Sequence, residues 1–180
     1  MPKNAAINWT NFESGPQTVS EVQAAFKYRK AEVRTLPAGL KICRLHAYSG
    51  LQDGLNSASP VTAWWSPYDA YDWDAGMEER MKLAANLGVT TRELSRVVMA
   101  VKEDWNSLAY LWVATLTCSI NAFYGLVAGQ DRFSSATAQS KRDASKEQSS
   151  GSAKLAGNNS QFFIPSFVMG DIQNSQFRPL

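Results

Sequence analysis

Leu108-Ala109-Tyr110-Leu111-Trp112-Val113-Ala114-Thr115-Leu116-Thr117-Cys118-Ser119-Ile120-Asn121-Ala122-Phe123-Tyr124-Gly125-Leu126-Val127-Ala128 is the most apolar stretch of the chain, and its reading decides the fold. It is cut by Thr115, Thr117, Ser119, Asn121 and Gly125. A bilayer-spanning helix needs about 20 predominantly apolar residues, so the stretch reads as buried strands and no membrane span is expected. Leu111 to Cys118 and Ile120 to Val127 are rich in β-branched and aromatic side chains, which fit a pleated surface packed on both sides. Two central strands are expected here.

The segment before them is helical in pattern. Thr90-Thr91-Arg92-Glu93 is a capping box, and Leu94, Val97, Val98, Val101, Trp105 and Leu108 follow at spacings of three or four. A helix is therefore expected from Thr90 toward Leu108. Asp74 to Leu87 reads as another helix, with Asp74 as its cap and Gly88 as the left-handed residue that closes it. Further back, Val61-Thr62-Ala63-Trp64-Trp65-Ser66 and Leu40 to Tyr48 read as strands. In the second, Cys43, Leu45 and Ala47 alternate with Ile42, Arg44, His46 and Tyr48. Thr18-Val19-Ser20-Glu21 opens a first helix running to about Ala31. Residues 1–17 are polar, carry Gly15-Pro16 and read as a loosely attached lead-in.

Beyond the central strands, Ser134 to Ser152 holds seven serines and few large apolar residues, so 131–158 is expected to be a mobile loop. Gln161-Phe162-Phe163-Ile164-Pro165 reads as a short strand stopped by proline, followed by a brief tail. The sum is one α+β domain over 18–180: a curved, mostly antiparallel sheet with two or three helices.

Composition excludes several functions. With 180 residues, six Trp, six Tyr and eight Phe, the chain has material for a core without a metal or disulfide. Cys43 and Cys118 are 75 residues apart in sequence and His46 is the one histidine, so Cys/His zinc modules are excluded. No metal site is expected: Asp69, Asp72 and Asp74 lack the glycine and distal Glu of an EF-hand and read as a solvated acidic loop or a surface for a basic partner. A net charge of +2 does not argue for nucleic acid. The sequence contains no phosphate-binding glycine loop and no Gly-x-Ser-x-Gly elbow. The N-terminal residues contain no apolar run of a secretory signal.

Two constellations carry chemistry. In the first, Ala84, Gly88, Val89, Leu94 and Val97 have the spacing of a helix-turn-helix, with Arg92, Ser95 and Arg96 on its second helix. A DNA-binding regulator using residues 80–100 is thus one expectation. Five carboxylates between Asp69 and Glu79 oppose it, because they would repel phosphates. The same residues make an ordinary helix pair.

In the second, Arg44 leaves the middle of one strand, Ser66 ends a Trp-Trp strand and Gln161 opens the last strand. This order resembles the ADP-ribosyltransferase fold of many bacterial toxins, over about residues 38–170. The resemblance implies that Arg44 binds the phosphate or nicotinamide ribose of NAD, that Ser66 supports the pocket, and that Gln161 meets the ribose 2′-OH. His46, by strand alternation, and Trp64, Trp65 and Phe163 are the implied further contacts to NAD. The sequence departs from the family at one place. Two residues beyond Gln161 stands Phe163, where the family carries a Glu.

A Gln carbonyl accepts a hydrogen bond but gives no full charge to an oxocarbenium-like transition state. That favours hydrolysis of NAD, or a carboxylate drawn from Glu78, Glu79 or Asp131, over transfer to a protein or nucleic-acid acceptor. Each residue also has a plainer use: Arg44 in a rim ion pair, Ser66 in a turn before Pro67, Gln161 on strand-edge backbone. The resulting expectation is an NAD-consuming effector, either a glycohydrolase or a mono-ADP-ribosyltransferase. NAD is its substrate, an immunity protein its partner and the cytoplasm its site of action, reached by secretion or injection without a classical signal peptide. A catalytically inactive interaction module is the third expectation.

Overall fold

The computed structural model describes residues 1–103, 105–132 and 154–180. Strands β1 (Glu32–Leu36), β2 (Lys41–His46), β3 (Trp64–Pro67), β4 (Tyr110–Leu116) and β5 (Ile120–Leu126) are followed by β6 (Gln130–Asp131), β7 (Lys154–Leu155), β8 (Ser160–Phe163) and β9 (Ile172–Pro179). The helices are α1 (Val19–Ala24), α2 (Gly76–Asn86) and α3 (Thr91–Val98). Seven strands form one sheet in the order β1-β5-β8-β3-β2-β4-β9, with every neighbouring pair antiparallel. The fold is therefore α+β, a mostly antiparallel sheet with three α-helices among the described residues. Strands β6 and β7 pair separately, and they close the ends of the serine-rich tract, whose residues 133–153 lie outside the described ones.

Strand alternation sorts the core into two faces. Ile42, Trp65, Trp112, Ala114, Ala122, Tyr124 and Phe162 pack on one face with Leu36, Phe167 and Ile172. On the other, α2 brings Met77 against Cys43, Leu45, Leu111 and Val113. Val22 of α1 and Phe26, just beyond that helix, pack against Phe123 and Phe163 on that second face. Helices thus cover one side, and connecting segments cover the other.

Four elements differ from the sequence reading. The first helix ends at Ala24, because Tyr28 and Arg29 take positive φ and the chain turns directly into β1, an edge strand with four of five residues exposed. Helix α3 ends at Val98, and Ala100 at φ 48° turns the chain away. Val101 and Leu108 still reach the apolar cluster under α2, which is why their spacing continues the helical pattern. The tail is an eight-residue edge strand, β9. It is polar and exposed, so it carries little apolar signal.

The lead-in also differs. Lys3 bridges to Ile120, Trp9 stacks on Phe123 at 3.9 Å, and Phe12 meets Phe163 edge-on at 5.7 Å. Scattered aromatic residues in a polar segment here cover the end of the sheet. Among the described residues no helix is long and apolar enough to cross a membrane.

Candidate functional site

Strand β2 runs between β3 and β4, so Arg44 emerges near the middle of the sheet. Its direct cross-strand partner is Trp112, and the pair shares the face of Ile42 and Trp65. The surroundings are aromatic. Trp112 stacks on Phe177 (5.4 Å between centroids) and meets Trp65 edge-on at 4.7 Å. His46, two residues along β2, lies 5.8 Å from Trp112 and 5.5 Å from Phe177. Its Nδ1 is held by the backbone of Tyr48.

Arg44 makes no hydrogen bond or ion pair with any described residue, and its Nε is buried without a partner. The indole Nε1 of Trp112 is likewise buried and unpartnered. Burial pushes the Arg44 guanidinium down to about 10, which still leaves it charged at neutral pH. A charge withdrawn from water without a counter-ion is costly. The fold thus leaves two buried donors on paired strand positions without an acceptor, a state that buried polar groups ordinarily avoid.

Ser66 and Gln161 project from the opposite face. Ser66 pairs with Cys43, and the β3–β8 register (Trp64 with Phe163, Trp65 with Phe162) sets Ser66 across from Gln161. Ser66 Oγ donates to the Ser160 carbonyl at 3.2 Å, and Gln161 Nε2 donates to the Ala25 carbonyl at 2.9 Å, tying β8 to the end of α1. The structure therefore brings the strands of Arg44, Ser66 and Gln161 side by side, as β2, β3 and β8, but divides the three side chains between two faces. Trp65 and Phe163 are fully buried. The Trp65 indole donates to Thr62 O at 2.8 Å, and Trp64 donates to Gln17 Oε1 at 2.8 Å over the α1 cluster.

A second polar cluster, absent from the sequence reading as a unit, sits where β3 ends and β8 begins. Asp74 is buried, and its Oδ1 accepts from Arg80 Nη1 and from Gly76 N, each at 2.7 Å. Its Oδ2 accepts from Ser160 Oγ and, at 3.3 Å, from Ser160 N. Arg80 Nη2 donates to Pro67 O at 3.2 Å. Gly76 is required at this turn: its φ is 86°, and a Cβ would stand 2.5 Å from Tyr68 O. Ala75 takes the cap position of α2, and Asp74, one residue earlier, holds the first helical amide and joins α2 to β8. The cluster forms one wall of a cavity of about 270 Å³ between α2, α3 and residues 157–159.

The other acids are dispersed. Asp69 lies 3.8 Å from Lys41, and Asp72 lies 3.7 Å from Arg34. Glu78, Glu79 and Asp131 are exposed, and Glu79 pairs with Lys82. On α3, Arg92 donates to Leu180 O at 2.8 Å, and Arg96 donates to Val101 O and Asn106 O at 3.0 Å each. Both arginines of the helix-turn-helix reading are therefore engaged within the fold.

Taken by fold and site, the protein is an α+β domain whose antiparallel sheet presents an unpartnered arginine among aromatic rings. No family model, curated protein or solved structure matches the chain.

Proposed function

We propose that this is an NAD-consuming domain of ADP-ribosyltransferase-like fold, which binds the pyrophosphate of NAD at Arg44 and cleaves the bond between nicotinamide and ribose. The observation that carries the reading is the half-buried guanidinium of Arg44, which has no partner among the described residues, on the strand position that pairs with Trp112, whose Nε1 is also unpartnered. A pyrophosphate supplies the missing negative charge and the missing acceptors together, and the planar fork of an arginine suits its paired oxygens. The rings of Trp112, Phe177 and His46 give a flat nucleoside an apolar surface beside the charge. The adjacency of β2, β3 and β8 supports the family resemblance in the placement of its strands.

Cleavage leaves positive charge on the ribose, and a nearby anion would stabilise it. Ser66 and Gln161 lie across the sheet from Arg44, and their bonds to Ser160 and Ala25 hold the strands that position it. With no carboxylate beside Arg44 among the described residues, water is the acceptor this arrangement favours over a protein or nucleic acid. An effector of this kind acts in the cytoplasm of a target cell and is held by an immunity protein in its producer.

The test is incubation of the purified chain with NAD, following nicotinamide release and the melting temperature. Release, with a rise in melting temperature before turnover is complete, is expected. Absence of both overturns the reading.

A further inference from the structure

The turn joining α1 to β1 is held in a strained conformation. Tyr28 and Arg29 are consecutive non-glycine residues with φ of 58° and 55°. Arg29 N donates to Phe26 O at 2.9 Å, and Lys30 N donates to Lys27 O at 3.1 Å, fixing the turn. Gly125 lets this turn sit directly on β5, because a Cβ there would stand 2.7 Å from the Lys30 carbonyl. The chain thus spends free energy to present two cations at one place.

What they face is a cavity of about 410 Å³, lined by Arg29, Lys30, Arg34, Trp9, Trp73 and Tyr124, with Glu32 at its side. Glu32 and Asp72 pair with Arg34, at 2.8 and 3.7 Å. Among the described residues Arg29 meets only the Ser20 hydroxyl, at 3.5 Å, and Lys30 meets no carboxylate. The wall opposite is aromatic. Trp73 is 56% exposed and leans on Tyr124, with centroids 5.6 Å apart and planes at 37°.

We propose that this cavity binds a nucleoside phosphate, with its base on the open face of Trp73 and its phosphate between Arg29 and Lys30. An exposed indole face stacks on any base, and an arginine without a carboxylate partner is free to take phosphate oxygens in pairs. Arg34, held by Glu32 and Asp72, adds no free cation to the site. The site borders β1 and β5 at one edge of the sheet, whereas Arg44 stands on β2, so the two are distinct and this inference does not rest on the NAD reading.

Free nucleotides and single strands both carry this chemistry, and the test separates them. Binding of AMP and of a short fluorescent oligothymidylate to the full chain is measured by calorimetry and anisotropy in an Arg44→Met background, which silences the guanidinium on β2, for that background chain and for Arg29→Gly and Trp73→Ala made in it. Glycine tolerates the left-handed position, so Arg29→Gly should keep or raise the melting temperature while weakening binding about tenfold or more. AMP binding identifies a free nucleotide, and binding of the oligonucleotide alone identifies a strand. In either case Trp73→Ala weakens it. The proposal is overturned if neither probe binds the Arg44→Met chain at millimolar concentration, or if Arg29→Gly and Trp73→Ala bind as that chain does.

Discussion

Arg80 and Arg44 are both largely withdrawn from water, and the fold serves them in opposite ways. Arg80, with a side chain 13% exposed, reaches a carboxylate 4% exposed and a backbone carbonyl, so two of its three nitrogens are occupied. Arg44 reaches nothing among the described residues. The first arginine ties a helix to two strands. The second stands without a partner on the face that the described helices leave uncovered. Breaking a buried ion pair strands the remaining partner, whereas removing a half-buried charge that has no partner strands nothing.

The largest effect expected from this contrast is at Asp74. Asp74→Ala strands the Arg80 guanidinium and frees the amides of Gly76 and Ser160, which should cost about 3–5 kcal/mol in urea unfolding. Arg44→Met removes a cost, so it should unfold within about 1 kcal/mol of the parent or above it. If the two variants lose equal stability, the division between a structural and a ligand-facing arginine fails.

Cysteine chemistry probes the same division from the helix side. Cys43 lies under α2, and burial is the main cause that raises its thiol from an ordinary 9.0 to about 12; the nearby Arg80 opposes this and Asp74 reinforces it. Below pH 9 its thiolate population is then about a thousandfold smaller than that of an ordinary thiol. Exposed Cys118 should react with a disulfide reagent at pH 8 while Cys43 stays protected, giving one fast thiol per folded chain. The sign with pH follows. The folded thiol keeps its proton while the unfolded one ionises, so the contribution of Cys43 is intact below about 9 and is lost as pH rises toward about 12. Two fast thiols in the folded parent would show that the helix side opens readily, and would weaken the contrast with Arg44.

The parts legible in the sequence are those written locally. Both capping boxes form as read, with Thr18 and Glu21, and Thr90 and Glu93, satisfying each other. The apolar runs became β4 and β5 because β-branched and aromatic residues are dense in both. Strand β1, exposed at four of five positions, has no apolar signal to betray it, and β9 has little. At the candidate site, alternation on β2 correctly grouped Arg44 with His46. It could not show which face Ser66 and Gln161 would take, because that depends on pairings among strands far apart in sequence. Asp74 was visible as a helix cap; that it would reach Ser160, 86 residues away, was not.

A finer test of the ligand-facing side replaces Arg44 by Lys. The charge remains and little volume changes, but a point charge cannot reproduce the fork. NAD turnover should fall about tenfold, equivalent to roughly 1.4 kcal/mol of transition-state binding, with the melting temperature nearly unchanged. Unchanged turnover would take Arg44 out of the site.

The smallest expected effect, and the one that isolates a single hydrogen bond, is at Trp112. Its Nε1 is buried without a partner, yet its ring packs on Trp65 and Phe177. Trp112→Phe removes both the orphan donor and part of the ring. The first change relieves a penalty of about 1–3 kcal/mol, and the second loses packing of similar size, so stability should shift by little in either direction. Binding has no such compensation. If a phosphate or ribose oxygen accepts from the indole, NAD affinity should weaken by about fivefold, the equivalent of roughly 1 kcal/mol for one hydrogen bond. A thermal-shift titration of the variant reads both quantities in one experiment. A clear gain in melting temperature with NAD affinity intact would mean that the indole is merely unsatisfied, and would leave Arg44 to hold NAD without it.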